Sequence, residues 1–149
     1  MPANTAPIFT ITPRVDNLKL TGNVASAKSD GTGTVGTDIF LISTPGANGT
    51  LISRLRLNPY ATTPTTTAAT VFRFFLATVN SGSPTADNCH LVQEVTIGAV
   101  AAANATTGLP PIEVPLNFVI PSGQYLLVST HANFAANTGC QIQVIGGDF

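Results

Sequence analysis

Ile112-Glu113-Val114-Pro115-Leu116-Asn117-Phe118-Val119-Ile120 carries an apolar residue at every even position. Successive strand side chains point to opposite faces, so Ile112, Val114, Leu116, Phe118 and Ile120 predict one buried face. Pro115 cannot donate to a ladder, which points to an edge position. The same period of two recurs upstream. Thr70-Val71-Phe72-Arg73-Phe74-Phe75-Leu76-Ala77 sets Phe72, Phe74 and Leu76 against Arg73. From Leu51 the chain alternates Leu51, Ser53, Leu55 and Leu57 with Ile52, Arg54, Arg56 and Asn58. Cys89 to Ile97 sets Leu91, Gln93, Val95 and Ile97 against His90, Val92, Glu94 and Thr96.

Shorter segments complete the pattern. Val15 to Thr21 alternates weakly, and Asp38-Ile39-Phe40-Leu41-Ile42 reads as a strand buried on both faces. Gln124 to Thr130 and Cys140 to Ile145 read as the last two strands. Turn material separates them: Asp30-Gly31-Thr32-Gly33, Ser81-Gly82-Ser83-Pro84 and Pro121-Ser122-Gly123, with Pro45-Gly46-Ala47-Asn48-Gly49 as a hairpin loop. Ala101-Ala102-Ala103 offers the one helical turn, too short to stand alone. The expected fold is all-β, an antiparallel jelly-roll-like sandwich or barrel of about eight strands. Residues 1–13, bracketed by prolines, read as an extended N-terminal arm, and residues 14–149 as a single β-sandwich domain.

Composition restricts function. Of 149 residues, 44% are hydrophobic but only 9% charged, with a net charge of -1, where ~25% charged is ordinary. The positive mean hydropathy of +0.31 therefore reflects missing charge. Near-neutrality argues against nucleic acid as a partner, which requires a basic stripe. No stretch approaches the ~20 apolar residues of a membrane-crossing helix, so no membrane partner is expected. The N-terminus shows no signal-peptide pattern. A polar exterior built from Thr, Asn, Ser, Gly and Gln repels its own copies weakly, which suits a surface covered by partners in an assembly.

Chemistry-bearing residues are sparse. Cys89 and Cys140 could bridge their strands as a disulfide, but without a secretory signal they read first as buried reduced thiols, and with His90 or His131 they lack the close ligand pairs of a zinc site. His90 and Glu94 fall on one strand face as an exposed polar pair. No Gly-x-Ser-x-Gly elbow occurs, and nothing places Glu94 and Glu113 as a general acid/base pair. No catalytic residue, metal or cofactor is expected, and the chain does not read as an enzyme. Arg54, Arg56 and Arg73 would share one outer face if their strands were neighbours, forming a patch toward a partner subunit. Pro7, Ile8, Phe9 and Ile11 on the arm complete the expected partner interface, adding a strand to an exposed sheet edge.

Four stretches carry a resemblance: Pro2-Ala3-Asn4-Thr5-Ala6-Pro7-Ile8-Phe9, Gly46-Ala47-Asn48-Gly49-Thr50-Leu51-Ile52, Ile120-Pro121-Ser122-Gly123-Gln124-Tyr125 and Gly146-Gly147-Asp148-Phe149. Together they resemble small structural proteins of tailed bacteriophages and prophages, of the head-decoration or cement kind. The resemblance implies a virion structural protein on the capsid surface, made in the host bacterial cytoplasm. It implies the major capsid protein as partner and a homotrimer as the unit. The rival expectation is a carbohydrate-binding β-sandwich of a tail or fibre. Zero Trp and only two Tyr stand against it.

Overall fold

A computed structural model describes residues 10, 12–21, 30–62, 66–99, 109–134 and 136–149. Within them lie eight strands: β1 (Thr12–Thr21), β2 (Phe40–Ser43), β3 (Thr50–Ala61), β4 (Thr70–Ala77), β5 (Cys89–Ile97), β6 (Ile112–Ile120), β7 (Tyr125–Thr130) and β8 (Thr138–Asp148). No helix occurs among the described residues. The Ala101-Ala102-Ala103 turn and most of the arm, including Pro7, Ile8, Phe9 and Ile11, lie outside them. Thr12 and Pro13, expected in the arm, already pair with Asp148 and Gly147 and belong to β1.

The strands form two four-stranded antiparallel sheets, one ordered β1-β8-β3-β6 and the other β2-β7-β4-β5. The architecture is a β-sandwich. Only β4 and β5 are both consecutive and paired; every other connection crosses between the sheets. The Gly46–Gly49 turn, expected as a hairpin, is therefore a crossover from β2 to β3. Its turn is nonetheless tight: Gly49 N–H donates to the Gly46 carbonyl at 3.0 Å, with Gly49 at a φ of 95° that favours glycine. Residues at the end of the described chain run through the middle of their sheet, with β8 between β1 and β3.

The main core lies between the sheets. Leu55, Leu57, Ile120 and Ile142 from one sheet meet Phe72, Phe74, Leu126 and Val128 from the other, all fully buried. Each such side chain contributes about 1.5–3 kcal/mol by leaving water. Ile112, Val114, Leu116 and Phe118 pack against this core as the period of two predicts, and β6 with Pro115 is an edge strand. A second cluster covers part of the other face of the β2-β7-β4-β5 sheet, where Phe75, Ala77, Cys89 and Leu127 pack with Ile39. This explains the apolar run at β2: Ile42 enters the main core and Ile39 the second cluster.

Two bulges break the expected alternation. In β3, Ile52 pairs with Gly146 and Arg54 with Ile145, leaving Ser53 as an extra residue. Ile52 is therefore buried with Leu55 and Leu57, in place of Leu51 and Ser53. In β5, Phe74 pairs with Gln93 and Phe75 with Leu91, leaving Val92 extra. Leu91 leaves the face of Val95 and Ile97 and is exposed beside Val92.

Candidate functional site

Three of the four motifs that carry the resemblance converge at one end of the β1-β8-β3-β6 sheet. Thr50 opens β3 between Asp148 of β8 and Ile120 of β6. The Gly46 N–H donates to Thr50 Oγ1 at 3.0 Å, and Thr50 Oγ1 donates to Asp148 Oδ1. A Cβ on Gly46 would lie 2.8 Å from Asp148 Cγ, and one on Gly49 2.9 Å from the Ile120 carbonyl oxygen. Glycine at both positions lets the loop close over the carboxylate. The Phe149 N–H returns to the Gly49 carbonyl at 3.2 Å.

Asp148 anchors a wider network. Arg14 on β1 donates from Nη1 to both Asp148 oxygens at 3.2 and 3.3 Å, and from Nε to Asp16 Oδ2 at 2.9 Å. Ser43 Oγ on β2 donates to the same Asp16 oxygen. Four strands from both sheets are thus tied through two half-buried carboxylates and one guanidinium. The Thr50 hydroxyl holds the Asp148 carboxyl below its ordinary range; burial opposes this, and Arg14 and the Gly46 N–H add to it. Both carboxylates are occupied by internal donors, so the arrangement is a clasp.

The arginines expected on one face lie on two. β3 and β4 belong to different sheets, so Arg54 and Arg56 are separated from Arg73. Both Arg54 and Arg56 turn to one carboxylate, with Nε atoms 3.1 and 3.5 Å from Glu113 on β6, at exposed positions. Exposed pairs of this kind are worth about 0–1 kcal/mol. Around them the outer face carries Asn17, Gln141, Gln143 and Asn58, with Gln143 Nε2 donating to Asn17 Oδ1 at 3.1 Å. A shallow groove of about 330 Å³ is lined by Asn17, Leu18, Lys19, Gln141 and Gln143. Lys19 lies across this face, its ammonium 4.9 Å from the centroid of the Tyr60 ring.

On the opposite sheet Arg73 is only 11% exposed, donates from Nε to Glu94 at 2.7 Å and lies 3.3 Å from His131 Nδ1. His131 joins this pair, a contact that sequence spacing did not suggest. The Val92 bulge separates His90 from Glu94: His90 stands opposite Leu76 and Glu94 opposite Arg73, so the expected pair on one face is not formed.

Cys89 and Cys140 are both free and buried, the first in the outer cluster and the second in the main core. Burial pushes the Cys89 thiol up to about 11 and the Cys140 thiol up to about 12. Among the described residues no group of three or more His, Cys, Asp or Glu side chains is placed to hold a metal ion.

Val15, Leu91, Val92 and Val119 are the large hydrophobics left exposed among the described residues, at 40–54%. All four sit on edge strands: β1, β5 and β6. No protein family, curated protein or solved structure matches the chain.

Proposed function

We propose that this protein is a structural component of a bacteriophage particle, a capsid-decoration (cement) protein that bridges neighbouring major capsid subunits from the outer surface of the head. The observation that carries the reading is the placement of its exposed apolar residues on sheet edges, while Arg14, Arg54 and Arg73 are answered internally. Such a surface favours lateral contact with neighbours over interaction with ions in solution. The strand order β1-β8-β3-β6 and β2-β7-β4-β5 supports a jelly-roll reading of the sandwich, an architecture used by viral capsid proteins and also by lectins. Fold alone does not assign function.

In this reading trimers occupy three-fold positions of the shell, and Pro7, Ile8, Phe9 and Ile11 on the arm reach a neighbour. Arg54 and Arg56 face one contact and Arg73 another. Many weak contacts gain strength through effective concentration on a symmetric lattice. Mass spectrometry of purified particles and a cryo-EM map of the head test this directly. Density for a two-sheet domain over capsid seams is the expected result, and absence of the chain from the particles overturns it.

A carbohydrate-binding role in a tail or fibre is the second reading. It is favoured by one feature, the amide-lined groove of Asn17, Gln141 and Gln143. Selective binding on a glycan array would promote it over the first.

A further inference from the structure

Two sheets present four edges, and three of them are interrupted. β2 is four residues long and shifts register against β7 between Leu41 and Ser43. β5 carries the Val92 bulge. β6 contains Pro115, shifts register against β3, and holds Asn117 at a φ of 53°. Each is a device that discourages a further strand from pairing. β1 is different: its one proline, Pro13, stands at the start of the strand, and the register with β8 is unbroken from Thr12, paired with Asp148, to Thr21, paired with Gly139. Nothing among the described residues pairs with its other side.

A lysine on an edge strand is the usual deterrent, but Lys19 is drawn back across the sheet to the Tyr60 ring. Arg14 and Asp16 are likewise turned inward, to Asp148 and Ser43. The most exposed large hydrophobic, Val15 at 54%, stands on this strand. The edge is therefore long, regular and cleared of obstructing charge.

We infer that the open edge of β1 is a self-pairing surface, on which a second copy lays its own β1 antiparallel about a two-fold axis at Asn17, joining two sheets into one. Charge and overlap together fix the register in which a second β1 fits. An axis at Asp16 would oppose two carboxylates, and an axis at Lys19 two ammonium groups. An axis at Leu18 shortens the overlap to residues 15–21. With the axis at Asn17, residues 13–21 of both copies align, Pro13 at each end accepting through its carbonyl but donating nothing. Asn17 then meets the partner's Asn17, Val15 meets the partner's Lys19, and Asp16 meets the partner's Leu18. No like charges stand opposite each other. The contact is isologous, so it closes as a dimer.

The pairing does not depend on the shell reading, because it is measured with the purified chain in the absence of particles. Sedimentation of the wild-type chain over a concentration series is expected to show a monomer–dimer equilibrium. The double variant Val15→Lys/Asn17→Lys places three like-charged lysine pairs in a row across the axis. It is expected to raise the dimer dissociation constant on the order of 100-fold, each pair weakening association about fivefold. Both positions are exposed, so thermal melting should show a fold close to wild type.

Asn17→Cys supplies an independent readout. It sets two thiols face to face at the axis while the native cysteines stay buried. Mild oxidation is expected to link Asn17→Cys copies much faster than Val119→Cys copies, whose thiol sits on the interrupted β6 edge. A wild-type chain that stays monomeric overturns the proposal, as does association unaffected by the double lysine variant or equal cross-linking at the two sites. Loss of association on removing residues 1–9 would assign the edge to the arm of a second copy and overturn it too.

Discussion

Replacing Gly146 by alanine tests how closely β3 and β8 approach at the motif junction. A Cβ at Gly146 would lie 1.9 Å from the Leu51 carbonyl oxygen and 3.1 Å from Ile52 Cα, both backbone atoms that cannot rotate away. Real Cβ contacts stay above 3.0 Å, so the two strands must separate by roughly 1 Å or more beside the Ser53 bulge. Overpacking of this kind costs about 1–3 kcal/mol. Two or three weakened ladder hydrogen bonds add about 1 kcal/mol each. The sum, about 3–6 kcal/mol, is a large share of the ~5–15 kcal/mol that holds an ordinary domain folded. With a urea slope of about 1–3 kcal/mol per molar, the unfolding midpoint should fall by roughly 1 M or more. Gly98→Ala is the control: nothing lies within 4 Å of its added carbon, so the expected change is within about 0.5 kcal/mol. A Gly146→Ala midpoint indistinguishable from wild type would refute the close-approach argument.

Asp148 gives a pH signature. Its carboxyl titrates below the ordinary value in the folded chain, so its contribution is complete above the unfolded pKa and is lost as pH falls through the folded one. Unfolding curves collected downward from about pH 5 should show a steeper acid loss in wild type than in Asp148→Asn; parallel curves would contradict the clasp. The two thiols, titrating near 11 and 12 and buried, should resist a thiol reagent at neutral pH and react together once denaturant is added; rapid native labelling would show that the burial is wrong. Removing residues 1–9 should leave the unfolding midpoint close to wild type while speeding release from capsid shells, and an unaltered off-rate would remove the arm from the attachment.

The strands were legible because a half-buried strand writes its burial as a period of two, and β6 follows that rule along its length. What alternation cannot reveal is where it slips. Ser53 and Val92 look like ordinary members of their runs, yet each is an extra residue that changes which neighbours share a face. That is why alternation alone groups Ile52 with Arg54 and Arg56, and His90 with Glu94. Sheet membership was equally hidden. Arg54, Arg56 and Arg73 have similar local contexts, and only the crossing from β3 to β4 puts them on different sheets. The clasp of Arg14, Asp16, Ser43, Thr50 and Asp148 joins residues from opposite ends of the chain. The one sign of it in the sequence was the turn-and-tail motifs, whose meeting is a long-range event.

The position of β8 has a consequence for how the molecule comes into being. During synthesis β1 emerges before the other described strands, yet its partner in the sheet is the last of them to appear. The first half of the chain can collapse or form local turns, but it cannot close that layer while residues 138–148 are still being added. A product lacking β8 would leave the backbone edges of both β1 and β3 unpaired, open to proteases and to aggregation. Any assembly that recognises the finished sheet must therefore wait for β8 to be inserted between β1 and β3.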